Sequence, residues 1–224
     1  MNETALSMKS EALCEQTAVN LLSLIKKRDI SCVELMDSCI QRYEQVNHAV
    51  NAIVETNFEN ALSVCRDVDD SFKQRLTDEM FLPIPIGIKD LNDVEGMKTT
   101  YGSPLFKDNQ VKNDDDIVAH LKENSAIIFG KTNVPEHGFG ATTTNPLQGS
   151  TGNPFNPSLS AGASTGGGAA AVAASIVPLA TGSDFAGSLR TPAGFCGIAG
   201  MRPSNGVVAT GRRSNIWSPF DVEG

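Results

Sequence analysis

Histidine is scarce in this chain of 224 residues: His48, His120 and His137 are the only three, and all lie in the first two thirds of the sequence. A serine hydrolase whose activating histidine follows the serine therefore has no candidate partner after residue 137. Cysteine supplies no framework either. Cys14, Cys32, Cys39, Cys65 and Cys196 are odd in number and include no C-x-x-C pair, which argues against paired disulfides and a zinc knuckle. They read as small buried apolar groups in a reducing compartment.

Basic clusters are missing as well. A formal charge of -8 and an isoelectric point near 4.9 leave no Lys/Arg-rich face for nucleic acid. The most apolar stretch, 169–180, is interrupted by Ser175 and Pro178 and falls short of the roughly 18 residues that span a bilayer. The first residues show no basic segment followed by an apolar one, so no secretory signal is expected. G-x-x-x-x-G-K-[ST] is absent too, which removes the P-loop and leaves no cofactor or metal implied. The expectation is a soluble, cytoplasmic protein, bound to neither nucleic acid nor membrane. Its ligand would be small and neutral, with homo-oligomerisation left open.

With 40% hydrophobic residues the chain can bury a substantial core. Apolar spacing predicts two helices over 15–48 broken at 28–30, with Ser31 and Glu34 forming a capping box for the second. An extended stretch is expected at 49–54 and a helix from 57 to about 72, running into a solvated charged segment at 66–79. The character changes at Leu82. The proline-punctuated run 82–88 predicts an edge strand or strand entry delivering Lys89 at its end. Asp114, Asp115 and Asp116 mark a helix N-terminus, and 126–130 a buried strand. A closely packed alanine-rich helix is expected over 166–175, then a strand over 176–181. Alternating strands and helices imply an α/β layered fold.

What stands out is a pair of small-residue loops, Ser160-Ala-Gly-Ala-Ser-Thr-Gly-Gly-Gly168 and Gly182-Ser-Asp-Phe-Ala-Gly-Ser-Leu-Arg190. Each sets a serine among residues with almost no side chain, which lets backbone N–H groups surround a reacting atom. Gly162-Ala-Ser-Thr-Gly166 matches the G-x-S-x-G nucleophile elbow. An elbow needs a strand immediately before it, whereas 153–157 reads as turn, and its histidine must follow unless one lies beyond Gly224. Ser23-Leu-Ile-Lys26 fits S-x-x-K but lies on an amphipathic helix with no Lys-Thr-Gly partner. Taken singly, each small-residue motif is explained as well by close packing.

In combination they are more specific. Gly87-Ile-Lys-Asp90 with its continuation to Ser103, Gly130-Lys-Thr-Asn-Val-Pro-Glu136, Gly152-Asn-Pro-Phe-Asn156 and the two loops through Gly200 occur in the order of the amidase signature family, which this chain resembles from about residue 15 to its last. The resemblance implies that family's fold, a mixed central β-sheet covered by helices on both faces, with its N-terminal half present here. It implies one domain over 1–224, helical over 1–80 and signature-bearing over 81–224, apparently truncated at the C-terminus. It also implies a triad: Ser188 as nucleophile, Ser164 as bridging serine preceded by a cis peptide, and Lys89 as base. Phe185, Ala186, Gly187 and Ser188 would supply oxyanion-hole N–H groups, with Asp184, Arg190 and Thr165 as scaffolding. Ala163, Thr165, Gly168 and Ala186 depart from the family's commonest residues while staying small. Alanine at 186 would be strained if that position needed φ > 0. Cys196 is expected to pack rather than react.

The implied activity is hydrolysis of a carboxamide to a carboxylic acid and ammonia through an acyl-enzyme, with a small-molecule amide as substrate. Alternatives are the glutaminase subunit of a tRNA-dependent amidotransferase, or an inactive remnant. Members of the family are roughly twice as long. Unpaired strand edges after Ile84 would then leave this chain alone poorly folded or inactive.

Overall fold

The computed structural model describes residues 13–72, 82–209 and 221–224. Helix α1 (Ala18–Lys27) is opened by Thr17, whose side chain accepts from the N–H of Asn20, and is closed by Arg28 in the left-handed region at φ 60°. That places the break where the sequence predicts it. Helix α2 (Cys32–Val50) starts with the full capping box: Ser31 Oγ accepts from Glu34 N at 3.1 Å, and the Glu34 carboxylate accepts from Ser31 N at 2.8 Å. The extended stretch begins later than expected, because α2 continues through Val50 until Asn51 ends it at φ 49°. The Asn47 amide then holds the turn, accepting from the N–H groups of Ala52 and Ile53 and donating to Ile53 O.

Helix α3 (Phe58–Asp70) follows as predicted, while residues 73–79 of the expected charged segment lie outside the described residues. Leu35, Met36 and Cys39 of α2 and Ala61, Cys65 and Val68 of α3 enter one core, with Leu21 and Ile25 of α1. Tyr43, Phe58 and Phe129 close it edge to face, with centroids 5.0 to 6.1 Å apart. All five cysteines are buried free thiols.

Strands, in chain order, are β1 (Ile53–Thr56), β2 (Pro85–Lys89), β3 (Ile127–Thr132), β4 (Thr144–Asn145), β5 (Gly149–Ser150), β6 (Gly152–Asn153), β7 (Asn156–Ser160), β8 (Leu179–Ala180), β9 (Ser183–Asp184) and β10 (Val222–Glu223). The main sheet runs β1-β3-β2-β8. It is mixed as expected: β2 is parallel to β3 and β8, while β1 is antiparallel to β3. The edge position expected for β2 is corrected, since the strand is interior and every residue of it is buried. Proline is tolerated because Pro85 opens the strand.

Helix α4 (Asp116–Glu123) begins at the predicted acidic run. Helix α5 (Gly166–Ala173) is buried through glycine as much as alanine. A Cβ on Gly167 would meet Asn133 O at 2.5 Å and Ala52 O at 2.8 Å, so only glycine allows this approach to the backbone. The strand expected over 176–181 shrinks to Leu179–Ala180. Ile176 N still bonds Ala171 O at 2.8 Å as the helix unwinds through Ser175 at φ 59°. A short α6 (Arg190–Cys196), not foreseen in the sequence, follows the second loop. No helix among the described residues is long and apolar enough to cross a membrane. The carboxyl ends of β2, β3 and β8 lie side by side, the edge where open α/β sheets place their ligands.

Candidate active site

Lys89 is the last residue of β2 and is fully buried. Its Nζ lies 2.8 Å from Ser164 Oγ, 2.9 Å from Thr165 Oγ1 and 2.9 Å from Ser183 Oγ. Burial pushes its pKa down to about 8, against the opposing pull of Glu223, Asp221 and Asp184. Lys131, buried on β3 beside Ile88, makes the contrast. Its Nζ meets Asp90 Oδ1 at 3.0 Å, together with Asn92 O, Thr99 Oγ1 and Lys98 O. Lys131 is a paired structural cation that pins the turn after β2, whereas Lys89 touches only neutral oxygens among the described residues and can exist uncharged.

Ser164 sits where the first loop enters α5. The peptide between Ala163 and Ser164 is cis, as the family resemblance implies. Contrary to the sequence reading, a strand does precede G-x-S-x-G: β6 and β7 form a hairpin whose turn is at Pro154 and Phe155. It is a separate two-stranded ribbon outside the main sheet. The lack of a strand therefore no longer argues against the elbow; what does is the lysine at Ser164 Oγ.

The second loop is organised by Asp184, which is fully buried at the end of β9. Its carboxylate accepts from Gly187 N at 2.7 Å and Leu189 N at 3.2 Å, and takes a two-pronged hydrogen bond from Arg190 at 2.9 and 3.0 Å. Arg202 Nε adds a cation at 3.5 Å. Burial alone would raise the Asp184 pKa, but the Arg190 and backbone donors outweigh it and hold the carboxyl well below the usual range. Asp184 thus ties Gly187, Leu189 and Arg190 of the loop together. Thr165 has a more direct place, because it touches Lys89 itself and its N–H donates to Ser188 O at 3.2 Å.

The same bonds sort three of the four oxyanion candidates. Gly187 N–H is committed to Asp184, while among the described residues no acceptor is set against the N–H groups of Ala186 or Ser188. The positive φ falls on Gly187, at 109°, and not on Ala186, so alanine there is unstrained. Ser188 shares a cavity of about 1050 Å³ with Ser164, Phe185 and Ala186. No hydrogen bond joins the two serine side chains in this structure. Cys196 packs beneath, its Sγ 3.6 Å from Ala161 O and its thiol pushed up to about 11 by burial.

Sequence reasoning missed several cavity residues. Ser183 lies inside the quoted Gly182-Ser-Asp run, and only its contact with Lys89 reveals a role. Tyr101 and His137 line the cavity as a stacked pair 6.2 Å apart, both in the left-handed region at φ 53° and 54°. Their signal was local: Tyr101 precedes a glycine in a turn, and His137 sits in a Pro-Glu-His-Gly turn.

The chain is similar to several known proteins. A profile of the amidase family matches residues 34–224. An acylamidase of Rhodococcus erythropolis is 38% identical over 195 residues, covering 86% of this chain and 40% of that protein. A glutamyl-tRNA(Gln) amidotransferase subunit from Endomicrobium trichonymphae is 34% identical over 205 residues, covering 92% and 42%. Among solved structures, a bacterial aryl acylamidase of the amidase signature family superposes with a TM-score of 0.86 at 32% identity, covering 93% of this chain and 44% of its own. The 6-aminohexanoate cyclic dimer hydrolase gives 0.79 at 31%, covering 90% and 40%. The chain thus spans about two fifths of the length of the relatives it matches and shares their α/β fold over that part. On the profile match, the identities and the superpositions, this chain belongs to the amidase signature family.

Proposed function

We propose that this protein hydrolyses a carboxamide to a carboxylic acid and an amine or ammonia, with Ser188 as nucleophile, Ser164 as relay and Lys89 as base. The observation that carries the reading is a buried lysine with no carboxylate in contact among the described residues, donating to Ser164 Oγ at 2.8 Å. A neutral Lys89 accepts the Ser164 proton as Ser164 accepts that of Ser188. Ser188 Oγ then bonds to the amide carbon. The tetrahedral oxyanion faces the N–H groups of the second loop, each worth roughly 3 kcal/mol in comparable sites. As the C–N bond breaks, the proton returns through Ser164 to the leaving nitrogen. Water, deprotonated along the same route, attacks the acyl-enzyme and releases the acid.

The division of labour in the second loop supports this assignment. Asp184 uses its acceptor capacity to hold Gly187, Leu189 and Arg190, so the loop is rigid before substrate arrives. Ala186 and Ser188 are then the N–H groups best placed to serve as donors, with Gly187 setting the turn between them.

A second reading rests on the amidotransferase relatives, 33 to 38% identical to this chain. Under that reading the amide is glutamine and the ammonia passes to a partner protein. One experiment separates the two. The full chain is offered simple aliphatic and aryl amides, and glutamine, with released ammonia or amine as readout. Turnover of simple amides supports the amidase, turnover of glutamine alone supports the glutaminase, and no turnover of any amide overturns both.

A further inference from the structure

Lys89 has neutral oxygens in contact, yet three carboxylates act on it at longer range: Asp184 on β9 and Asp221 and Glu223 at β10. Asp184 is engaged by Arg190 and two backbone N–H groups. On the sheet, the charges of Asp90 and Lys131 are paired with each other at 3.0 Å. Glu223 is placed by backbone pairing. Strands β9 and β10 pair antiparallel with Glu223 directly opposite Ser183. Residues so opposed place their side chains on one face, about 5 Å apart. Ser183 Oγ is in turn 2.9 Å from Lys89 Nζ. Gly182 and Gly224 exchange both backbone hydrogen bonds, at 2.6 and 2.8 Å, so this register cannot slip. Glu223 also lines the cavity that holds Ser164 and Ser188.

We propose that Glu223 is a positioning residue that acts across Ser183 to set the pH at which Lys89 gives up its proton and becomes the base. This rests on the amide-hydrolysis reading above. The sign follows from charge: a carboxylate favours the ammonium form, so Glu223 opposes burial and keeps Lys89 protonated to a higher pH. Glu223 is first among the groups that raise the Lys89 pKa, ahead of Asp221. Removing the charge makes Lys89 neutral at lower pH. Activity on the acid side then rises, which a merely structural residue would not produce.

The test measures how fast a fluorophosphonate labels Ser188 of the full chain across the pH range, in wild type, Glu223→Gln and Glu223→Asp. The Gln variant is expected to shift the acid limb downward and to label roughly 3- to 10-fold faster at about pH 6.5. The Asp variant keeps the charge and stays near wild type. Glu223→Ser must shift the same way as Gln, so the inference does not depend on one variant folding. An unmoved limb, or uniform slowing without a shift, overturns the proposal. Lysine 15Nζ NMR, assigned with Lys89→Met, reads the same titration without catalysis. If Ser188 is unlabelled in wild type, the hydrolysis reading falls, while the Lys89 midpoint in Glu223→Gln still decides the role of Glu223.

Discussion

Lys89 Nζ reaches Ser164 Oγ at 2.8 Å across 75 residues of sequence, and among the described residues no carboxylate comes within ion-pair distance of it. On the proposed mechanism a lysine so placed is the base. Lys89→Ala is expected to slow acylation of Ser188 by about 10² to 10⁴-fold. Lys89→Arg is expected to do the same, because a guanidinium does not deprotonate. Single-turnover kinetics check both, with thermal melts to confirm folding. Near-wild-type acylation in either variant would remove Lys89 from the mechanism.

The pH profile follows from the same side chain. With Lys89 lowered to about 8 by burial, the active form is the deprotonated one, so kcat/KM should climb with pH and level off above about pH 8. A profile that falls over this range would assign the base elsewhere.

Asp184 tests the scaffold. Asp184→Asn keeps the shape but loses the charge facing Arg190, and it should cost about 2 to 3 kcal/mol of stability, since Arg190 is half exposed and part of the pair is screened. The carboxyl is depressed in the folded state. Its contribution is therefore complete above the unfolded value of about 3.9 and disappears as pH falls toward the folded value. Denaturant melts between neutral and acid pH should show this loss in wild type and not in Asp184→Asn.

Gly167 tests the packing of α5 under the site. Gly167→Ala forces a methyl against Asn133 O and Ala52 O, both backbone atoms, with an expected destabilisation of about 1 to 3 kcal/mol. Melting curves check it, and an unchanged midpoint would show that α5 can move off β3.

Much of this architecture was legible in sequence because the signals were local. Ser31 and Glu34 fix one helix start through neighbours three residues apart, and the run Asp114 to Asp116 marks another by composition. The loops carrying Ser164 and Ser188 were visible as composition, and the family pattern assigned Lys89 to them. What stayed hidden depends on pairing at a distance. The interior place of β2 is set by β3 and β8, which no property of Pro85 to Lys89 announces. The strand before Gly162 was missed because Pro154 and Phe155 make the turn of a hairpin rather than the whole segment. Ser183 and Glu223 acquire their place from a two-residue ribbon between segments nearly 40 residues apart, and Lys131 became readable only once Asp90 was seen against it.

The central claim is that Ser188 is the nucleophile and Ser164 only its relay. A serine-directed fluorophosphonate on the full chain, followed by peptide mass spectrometry, tests it most directly. The account predicts a single adduct on Ser188 that is lost in Lys89→Ala at neutral pH. An adduct on Ser164, or one on Ser188 that persists without Lys89, would contradict it.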